Sequence, residues 1–204
     1  MKEGATADRI LAAADDLFCR RGYSGVSVRD IADQASVRKA LVFYHFGSKD
    51  KLYEKVLTSY YDAHRAALSE PLATASTSSA SFRERVHGVV DSYLSFIDAN
   101  ARYARLVQHE VAGGESAWID FIRANLAPLQ DSLTEVLHEV LPDRGHLAAR
   151  HFFVSFSGIV LNYYTYAPVF GALWPEGALS EPMRQERRDH VRWLVDAMMD
   201  AIEE

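Results

Sequence analysis

Basic side chains cluster between Ser27 and Lys51, in a segment whose pattern suits contacts to nucleic acid. Arg38 and Lys39 stand together at the front of a short helical pattern, where both can donate hydrogen bonds to N7 and O6 of guanine. Ser27 begins the preceding helical pattern, and a hydroxyl beside free backbone N–H groups can bind a phosphate. These residue types at this spacing predict recognition of duplex DNA, a chemistry in which no bond is made or broken.

Two short helices joined by a tight turn must position these side chains. Val28, Ile31 and Ala35 give the first helix an apolar inner face, and Ser27 can cap its N-terminus. The second helix is predicted to begin at Ser36 and to end at a glycine eleven residues later. A short helix with basic residues at its front, braced across a turn by another helix, is the arrangement by which a helix-turn-helix enters the major groove.

Composition places the chain among globular proteins with one mildly basic part. The 204 residues are 49% apolar and 25% charged, with a net charge of -6. Residues 1–51 hold nine basic and seven acidic side chains, so this N-terminal segment is mildly basic and the remainder of the chain is acidic. No apolar run is long enough to span a bilayer, and the N-terminus lacks an apolar signal region. These features predict a cytoplasmic protein that makes no membrane contact.

The remainder of the chain also shows helical periodicity, so the predicted fold class is all-α. A fourth helix is expected over 48–68, followed by an exposed loop over 69–81, where the residues are small and polar. Further helices are expected near residues 82–99, 101–111, 115–141, 146–167 and 183–203. The predicted organisation is a three-helix DNA-binding domain over 1–47 and a larger helical domain over 48–204, with 48–68 as the connecting helix.

An ordered set of motifs within residues 6–60 resembles the TetR/AcrR family of bacterial transcriptional regulators. The set comprises Phe18, Gly22-Tyr23, Val28, Ile31-Ala32, Val37, Tyr44-His45-Phe46 and Lys49. The resemblance implies three N-terminal helices that bind DNA and a fourth helix that links them to a helical body for ligand binding and dimerisation. It also implies a homodimer on a palindromic DNA operator, acting as a repressor that a small apolar or aromatic effector of unknown identity releases.

The resemblance assigns contact roles to further residues. Arg29 occupies a position that contacts bases or phosphate, and His45 and Lys49 match phosphate-contacting positions. Tyr44 is expected either to reach a phosphate or to pack inward. The full set predicted to touch DNA is Ser27, Arg29, Arg38, Lys39, Leu41, Phe43, Tyr44, His45 and Lys49.

Three positions depart from the residues usual in the family. Leu41 and Phe43 replace a threonine and a tyrosine, so two hydroxyls are lost and apolar contact with thymine methyl groups is expected instead. Ser36 stands in the turn between the two helices, where the family usually has glycine. If that turn requires a positive φ, serine costs roughly 1–2 kcal/mol there relative to glycine.

Aromatic residues are frequent in the predicted helical body and could line an apolar ligand pocket. Polar anchors could come from His109 and Asn125. The predicted ligand-binding residues are Phe96, Tyr103, His109, Trp118, Phe121, Ile122, Asn125, Phe152, Phe156 and Tyr163. Aromatic residues at helical spacing are more often part of a core, and that alternative stays open for each of them.

The last two helices carry a candidate dimer interface. Residues 155–170 set small side chains beside large apolar ones, and the last helix adds Val191, Leu194, Val195, Met198 and Ile202. Two-fold pairing through this face would set two recognition helices one turn of DNA apart, roughly 34–36 Å. The alternative is that these helices close the core of a single subunit.

Sequence signatures of catalysis and of metal binding are absent. The eight histidines form no pair at i,i+4 spacing, and the sequence has no HExxH, no CxxC and no glycine-rich phosphate loop. The chain is therefore expected not to be an enzyme and to need no cofactor and no metal. A helical adaptor that binds proteins is the competing interpretation, but it leaves the basic segment between Ser27 and Lys51 unexplained.

Overall fold

The computed structural model describes residues 2–77, 79–112, 118–138, 140–142 and 144–203, which form helices and turns without a β-strand. The helices are α1 (Lys2–Arg21), α2 (Val28–Gln34), α3 (Lys39–Phe46), α4 (Lys49–Thr77), α5 (Phe82–Ala99), α6 (Ala101–Ala112), α7 (Ile119–Leu137), α8 (Ala149–Phe170) and α9 (Glu181–Glu203). The all-α prediction is therefore confirmed. Within these ranges, no helix combines the length and the apolar character needed to cross a membrane.

Contacts divide the chain into two compact units. The first comprises Met1–Asp62 and Arg105–Phe121, and the second comprises Ala63–Ala104 and Ile122–Glu204. Three helices, α4, α6 and α7, therefore contribute residues to both units. The first unit combines α1, α2 and α3 with a segment that lies far from them in the sequence.

Buried apolar side chains hold α1, α2 and α3 together in the first unit. Phe18 of α1, Ile31 of α2 and Val42 of α3 are almost completely removed from solvent. Burying a side chain of this size contributes about 1.5–3 kcal/mol relative to leaving it exposed. This packing is required because α2 and α3 have only seven and eight residues, which is too short for a helix to be stable alone.

The turn between α2 and α3 depends on a left-handed residue, Ser36, whose φ is +53°. The Ser36 N–H donates to the Asp33 carbonyl at 3.1 Å, and the Val37 N–H donates to the Ala32 carbonyl at 2.9 Å. This pair of bonds is the Schellman arrangement, which satisfies the last carbonyls of a helix. The prediction that the second helix begins at Ser36 is therefore wrong. Helix α3 begins at Lys39, because a left-handed residue cannot belong to a right-handed helix.

Glycine at position 36 should stabilise the protein. Glycine adopts a positive φ without the steric penalty of a Cβ, so Ser36→Gly is expected to raise the free energy of unfolding by about 1 kcal/mol. Urea unfolding followed by circular dichroism measures the difference. The control is Ser69→Gly in the interior of α4, which is expected to lower stability. Lower stability for both variants would contradict the left-handed assignment of Ser36.

Helix α4 extends nine residues beyond its predicted end at residue 68, so the loop expected over 69–81 is wrong for residues 69–77. Leu68, Leu72 and Ala75 are buried at helical spacing in the second unit. This apolar row outweighs the helix-breaking tendency of Pro71, which lies inside the helix. Ser69, Thr74 and Thr77 are exposed, and their small polar side chains made the segment resemble a loop.

Ion pairs join α5 and α9 in the second unit. Arg83 lies 2.9 Å from the carboxylate of Asp196 and 2.5 Å from that of Asp200. Arg192 donates through Nε to Asp91 at 2.9 Å. Partly exposed pairs contribute little individually, but several in a row along two helices define their register.

Part of the dimer face predicted on α9 is buried. Val191 and Val195 are almost fully buried within the second unit, so their assignment to a dimer face is wrong and the alternative of closing a subunit's own core holds for them. Helical periodicity identifies an apolar row, but it does not show which neighbour covers that row. The exposed apolar side chains of the last two helices lie mainly on α8.

Candidate nucleic-acid interface

Helix α3 exposes most of its side chains to solvent, and one buried side chain attaches it to the first unit. Val42 is buried in the first unit, whereas Leu41, Phe43 and Tyr44 are 38%, 43% and 70% exposed. Large apolar and aromatic side chains that stay in solvent on so short a helix contribute little to the core of their own unit. The exposed side of α3 therefore has the character of a contact surface for another molecule.

Arg38 and Lys39 lie at the front of this exposed side. Arg38 is the N-cap residue of α3, and both basic side chains are exposed. The Lys39 ammonium lies 5.6 Å from the centroid of the Phe43 ring, one turn further along the helix. Two cations and an aromatic face thus share one short surface, a combination that suits guanine edges and thymine methyl groups in a major groove.

The hydroxyl of Ser27 is engaged within its own helix. Ser27 Oγ accepts from the Asp30 N–H at 3.2 Å, and the Asp30 carboxylate accepts from the Ser27 N–H at 2.8 Å, which completes a capping box. The Ser27 hydroxyl also donates to this carboxylate, and this bond is the main cause that lowers the pKa of Asp30. A phosphate at Ser27 would meet an ionised carboxylate, so the evident role of Ser27 is to start α2.

Arg29 and His45 are two further residues predicted to touch DNA. Arg29 lies on α2 with its Nε 3.7 Å from a carboxylate oxygen of Asp33, and most of its side chain is in solvent. His45 is half-buried, and its ring centroid lies 5.1 Å from that of Tyr44. Both side chains belong to the first unit, together with the basic residues of α3.

Lys49 packs against an aromatic ring at the start of α4. Its ammonium lies 3.9 Å from the centroid of Tyr23, and the Tyr23 hydroxyl donates to Asp50. Burial lowers the pKa of Lys49, and burial together with the bond to Asp50 raises the pKa of Tyr23 to about 12. Tyr23 therefore positions a cation at the place where the sequence predicted a phosphate contact.

A buried hydrogen bond joins the end of α6 to the start of α4 within the first unit. The Tyr53 hydroxyl donates to the Glu110 carboxylate at 2.6 Å, and both residues are buried. Trp118 packs against Tyr53 and Tyr23, with centroid separations of 4.9 and 5.6 Å. Because Tyr23 also contacts Lys49, aromatic rings connect Trp118 to a predicted DNA-contacting lysine.

The residues predicted to bind a ligand lie in several places. His109, Trp118 and Phe121 belong to the first unit, where His109 is exposed and the two aromatic residues are half-buried. Tyr163 belongs to the second unit, with the guanidinium of Arg187 4.0 Å from its ring centroid. The others in the second unit are the buried Phe96, Tyr103 and Ile122 and the half-buried Asn125, Phe152 and Phe156.

The aromatic cluster of the second unit surrounds a histidine that the sequence-based prediction missed. The ring of His64 stacks on Phe96 at 4.6 Å and lies 5.3 and 5.8 Å from Tyr93 and Tyr103. His64 is only 5% exposed, and within the described part of the chain neither ring nitrogen has a hydrogen-bond partner. Unpaired buried polar groups are rare in folded proteins. His64 lies four residues before the apolar Leu68, a helical spacing that predicts burial. No sequence pattern shows that the ring nitrogens of His64 are unpaired.

Stability at acidic pH should report the burial of His64. Burial lowers the pKa of His64 to about 4, so between about pH 6.5 and 4 the unfolded chain is protonated at this residue and the folded protein is not. The contribution of His64 to the free energy of unfolding is therefore complete above about pH 6.5, and it falls by up to ~3 kcal/mol as the pH drops to about 4. Urea unfolding at pH 7 and at pH ~4.5 should show a smaller difference in His64→Phe than in the wild type. His146→Phe, at an exposed turn position, should keep the wild-type difference.

An open groove of about 500 Å³ in the second unit has a different chemistry. It is lined by Glu84, His87, Gly88, Asp91, Arg192 and Asp196. Four of its ionisable groups already pair with each other, since His87 Nε2 lies 2.7 Å from Asp196 and Arg192 binds Asp91. The groove is polar and shares no residue with the predicted ligand set. Across the described part of the chain, no three His, Cys, Asp or Glu residues are placed to hold a metal ion.

The first unit has the form of a helix-turn-helix. A short helix with an exposed basic front follows α2 through a tight turn, and a long helix begins directly after it. Residues 10–56 match the family described as bacterial regulatory proteins, tetR family. This match covers the segment whose motifs resemble the TetR/AcrR family, and it confirms that resemblance.

Curated relatives match about half of this chain. The chain is 33% identical over 107 residues to the probable HTH-type transcriptional regulator YttP of Bacillus subtilis, covering 52% of this chain and 51% of that protein. It is 31% identical over 99 residues to the HTH-type transcriptional activator FasR of Mycolicibacterium smegmatis, covering 48% and 43%. The chain thus spans about half the length of the curated relatives it matches.

Similarity to solved structures extends over most of the chain. The crystal structure of AibR in complex with isovaleryl coenzyme A and operator DNA superposes with a TM-score of 0.69 at 22% identity. The match covers 93% of this chain and 97% of AibR. At this identity the likeness shows the fold, which is an N-terminal helix-turn-helix followed by a larger helical part.

Proposed function

We propose that this protein is a sequence-specific DNA-binding regulator of transcription in which α3 reads the major groove. The observation that carries the proposal is the exposed side of α3. Arg38, Lys39 and Phe43 project there from a helix that Val42 holds in the first unit. Such a surface combines hydrogen-bond donors for guanine with an apolar face for thymine, so it suits reading of bases in addition to binding of phosphate.

The domain organisation proposed for this function follows the order of the helices. Residues 1–47 form the DNA-binding domain, and residues 48–204 form the domain for ligand binding and dimerisation. Residues 48–68 connect them. The continuous helix α4, which begins at Lys49, supports the assignment of a connecting role to this segment.

A homodimer paired through α8 is part of the proposal. Ile159, Tyr166 and Val169 recur on one side of α8 and are exposed, and Leu173 follows just beyond the helix with 69% exposure. An exposed apolar row of this kind marks an interface between proteins, and a second copy covers its own row by two-fold symmetry. Pairing sets two α3 helices roughly 34–36 Å apart, so the proposed operator is a palindrome.

Release of DNA by a small molecule completes the proposal. Helix α4 carries Lys49 and Tyr53 in the first unit and His64 among aromatic rings in the second. A ligand packed among these rings would favour a state of α4 in which the two α3 helices do not fit both half-sites. A preference of about 1–3 kcal/mol for that state lowers operator affinity about 5- to 150-fold. AibR, a protein with the same fold, is seen bound to isovaleryl coenzyme A and operator DNA.

Repression is the proposed effect of operator binding, because a dimer on its operator blocks the DNA that it covers. A reporter gene behind the selected operator measures the sign. Lower expression with the protein present supports repression, whereas higher expression would assign activation, the activity in the name of FasR. Catalysis is not part of the proposal, since the matched relatives are named as transcriptional regulators.

Selection of binding sites from a random duplex library tests the central proposal. The purified protein should enrich a palindrome whose half-site centres lie one helical turn apart, and its affinity should fall steeply with salt. A helical adaptor that binds only proteins would enrich no motif, even at low salt. That result would overturn the proposed function.

A further inference from the structure

The buried ring of His64 offers chemistry that DNA binding does not use. A neutral imidazole carries one N–H donor and one nitrogen acceptor. Neither ring nitrogen of His64 meets a hydrogen-bond partner among the residues that the structure describes, although the residue is only 5% exposed. Leaving a donor and an acceptor unsatisfied in a buried place is unfavourable, and a ligand group that bonds either of them recovers that loss.

Aromatic rings without a formal charge lie directly against His64. Among the described residues, the rings within 6 Å of it belong to Tyr93, Phe96 and Tyr103. Burial is the cause that lowers the pKa of His64. An ionised ligand group would lose its hydration against these rings, none of which carries a charge. The cluster therefore favours a neutral ligand.

Further aromatic rings extend the cluster on one side. The Tyr93 ring lies 5.9 Å from that of Phe156, and Phe156 lies parallel to Phe152 at 6.2 Å. Phe152 and Phe156 are half-buried, in contrast to the fully buried rings beside His64. Flat aromatic faces of this kind pack well against another ring or an apolar chain. The body of a ligand that reaches His64 is therefore expected to be apolar or aromatic.

We propose that His64 is the hydrogen-bonding anchor for a neutral, mainly apolar or aromatic ligand that carries a hydroxyl group. A hydroxyl can either donate or accept, so it can bond whichever nitrogen of His64 it reaches. The inference rests on the ligand-gated function proposed above. It adds the residue that selects the ligand and the chemical class that this residue selects.

Matched neutral probes test this assignment on the purified 204-residue chain. Each pair joins a hydroxylated aromatic compound to its methyl analogue, for example 1-naphthol with 1-methylnaphthalene and phenol with toluene. Affinities are measured by chemical-shift titration of the protein's amide resonances. The wild type should prefer the hydroxyl member of at least one pair by about tenfold, the effect expected of one hydrogen bond to a buried group. His64→Phe should lose this preference for the hydroxyl member.

A second variant guards against a folding defect. His64→Gln keeps a donor and an acceptor, so it should retain part of the preference for the hydroxyl probe, and circular dichroism verifies that both variants fold. The assignment is overturned if the wild type binds no probe or treats the members of every pair alike. It is also overturned if His64→Phe keeps the wild-type preference.

Operator binding measured in parallel separates this inference from the proposed function. The operator affinity of each variant without a probe is the reference for its affinity with a probe. If the hydroxyl preference requires His64 but the probe leaves operator affinity unchanged, the anchor is supported and the proposed gating fails. If a probe releases the operator with equal potency from wild type and His64→Phe, the gating is supported and the anchor is wrong.

Discussion

Arg38→Glu is expected to abolish recognition of the operator while leaving the fold intact. Arg38 is exposed, and its side chain makes no capping hydrogen bond to α3, so charge reversal there disturbs no packing. The substitution removes about 1–3 kcal/mol of base recognition from each half-site and brings a carboxylate towards the phosphates. Because a two-fold complex suffers this loss twice, the affinity should fall about 100-fold or more. Fluorescence anisotropy with a labelled operator duplex measures the change.

A matched control separates position from net charge. Arg144→Glu makes the same charge change at an exposed position in the second unit, and its operator affinity should stay within about twofold of the wild type. Equal losses in the two variants would assign the effect to the overall field of the protein. An Arg38→Glu variant that still selects the same palindrome would show that α3 does not read the bases.

The helix-turn-helix could be predicted from sequence because its determinants are local. Ser27 and Asp30 form a capping box three residues apart, and the apolar residues of α2 recur at helical spacing. Ser36 departs from the glycine usual at this turn, but its effect on the start of α3 depends on a backbone angle that serine rarely adopts. Composition alone cannot show that such an angle occurs, so the predicted helix began too early.

The body of the protein was less predictable because burial there depends on distant neighbours. Val191 and Val195 form an apolar row that suits a dimer face or a monomer core equally well, and only the packing of α9 shows that they lie inside. The same holds for His64, whose importance comes from rings contributed by α5 and α6. Residues 69–77 appeared loop-like because the polar majority outnumbers the buried Leu72 and Ala75.

Tyr166→Asp is expected to separate the proposed dimer into monomers. Tyr166 is 52% exposed in a single chain and lies in the middle of the exposed apolar row of α8. Burying an aromatic side chain contributes about 1.5–3 kcal/mol, and two-fold symmetry removes this contribution twice for one substitution. The dimer dissociation constant should therefore rise about 100-fold or more, as measured by analytical ultracentrifugation over a range of concentrations.

Val154→Asp provides the control for this experiment, because Val154 is 68% exposed on the same helix but lies outside the exposed apolar row. It precedes Tyr166 by twelve residues, which at 3.6 residues per turn places it about 120° around α8. This variant should remain dimeric, and loss of dimer in both variants would point to a general defect of α8.

Half-site binding then distinguishes the two principal predictions from each other. A monomer with an intact α3 should bind an isolated half-site as the wild type does, so Tyr166→Asp should lose affinity only for the full palindrome. Arg38→Glu should lose affinity for the half-site and the palindrome alike, since the contact itself is removed. If Tyr166→Asp weakens half-site binding as well, the exposed apolar row of α8 supports the fold of the subunit rather than its pairing. Equal palindrome affinity in Tyr166→Asp and the wild type would show that the regulator binds DNA without this dimer.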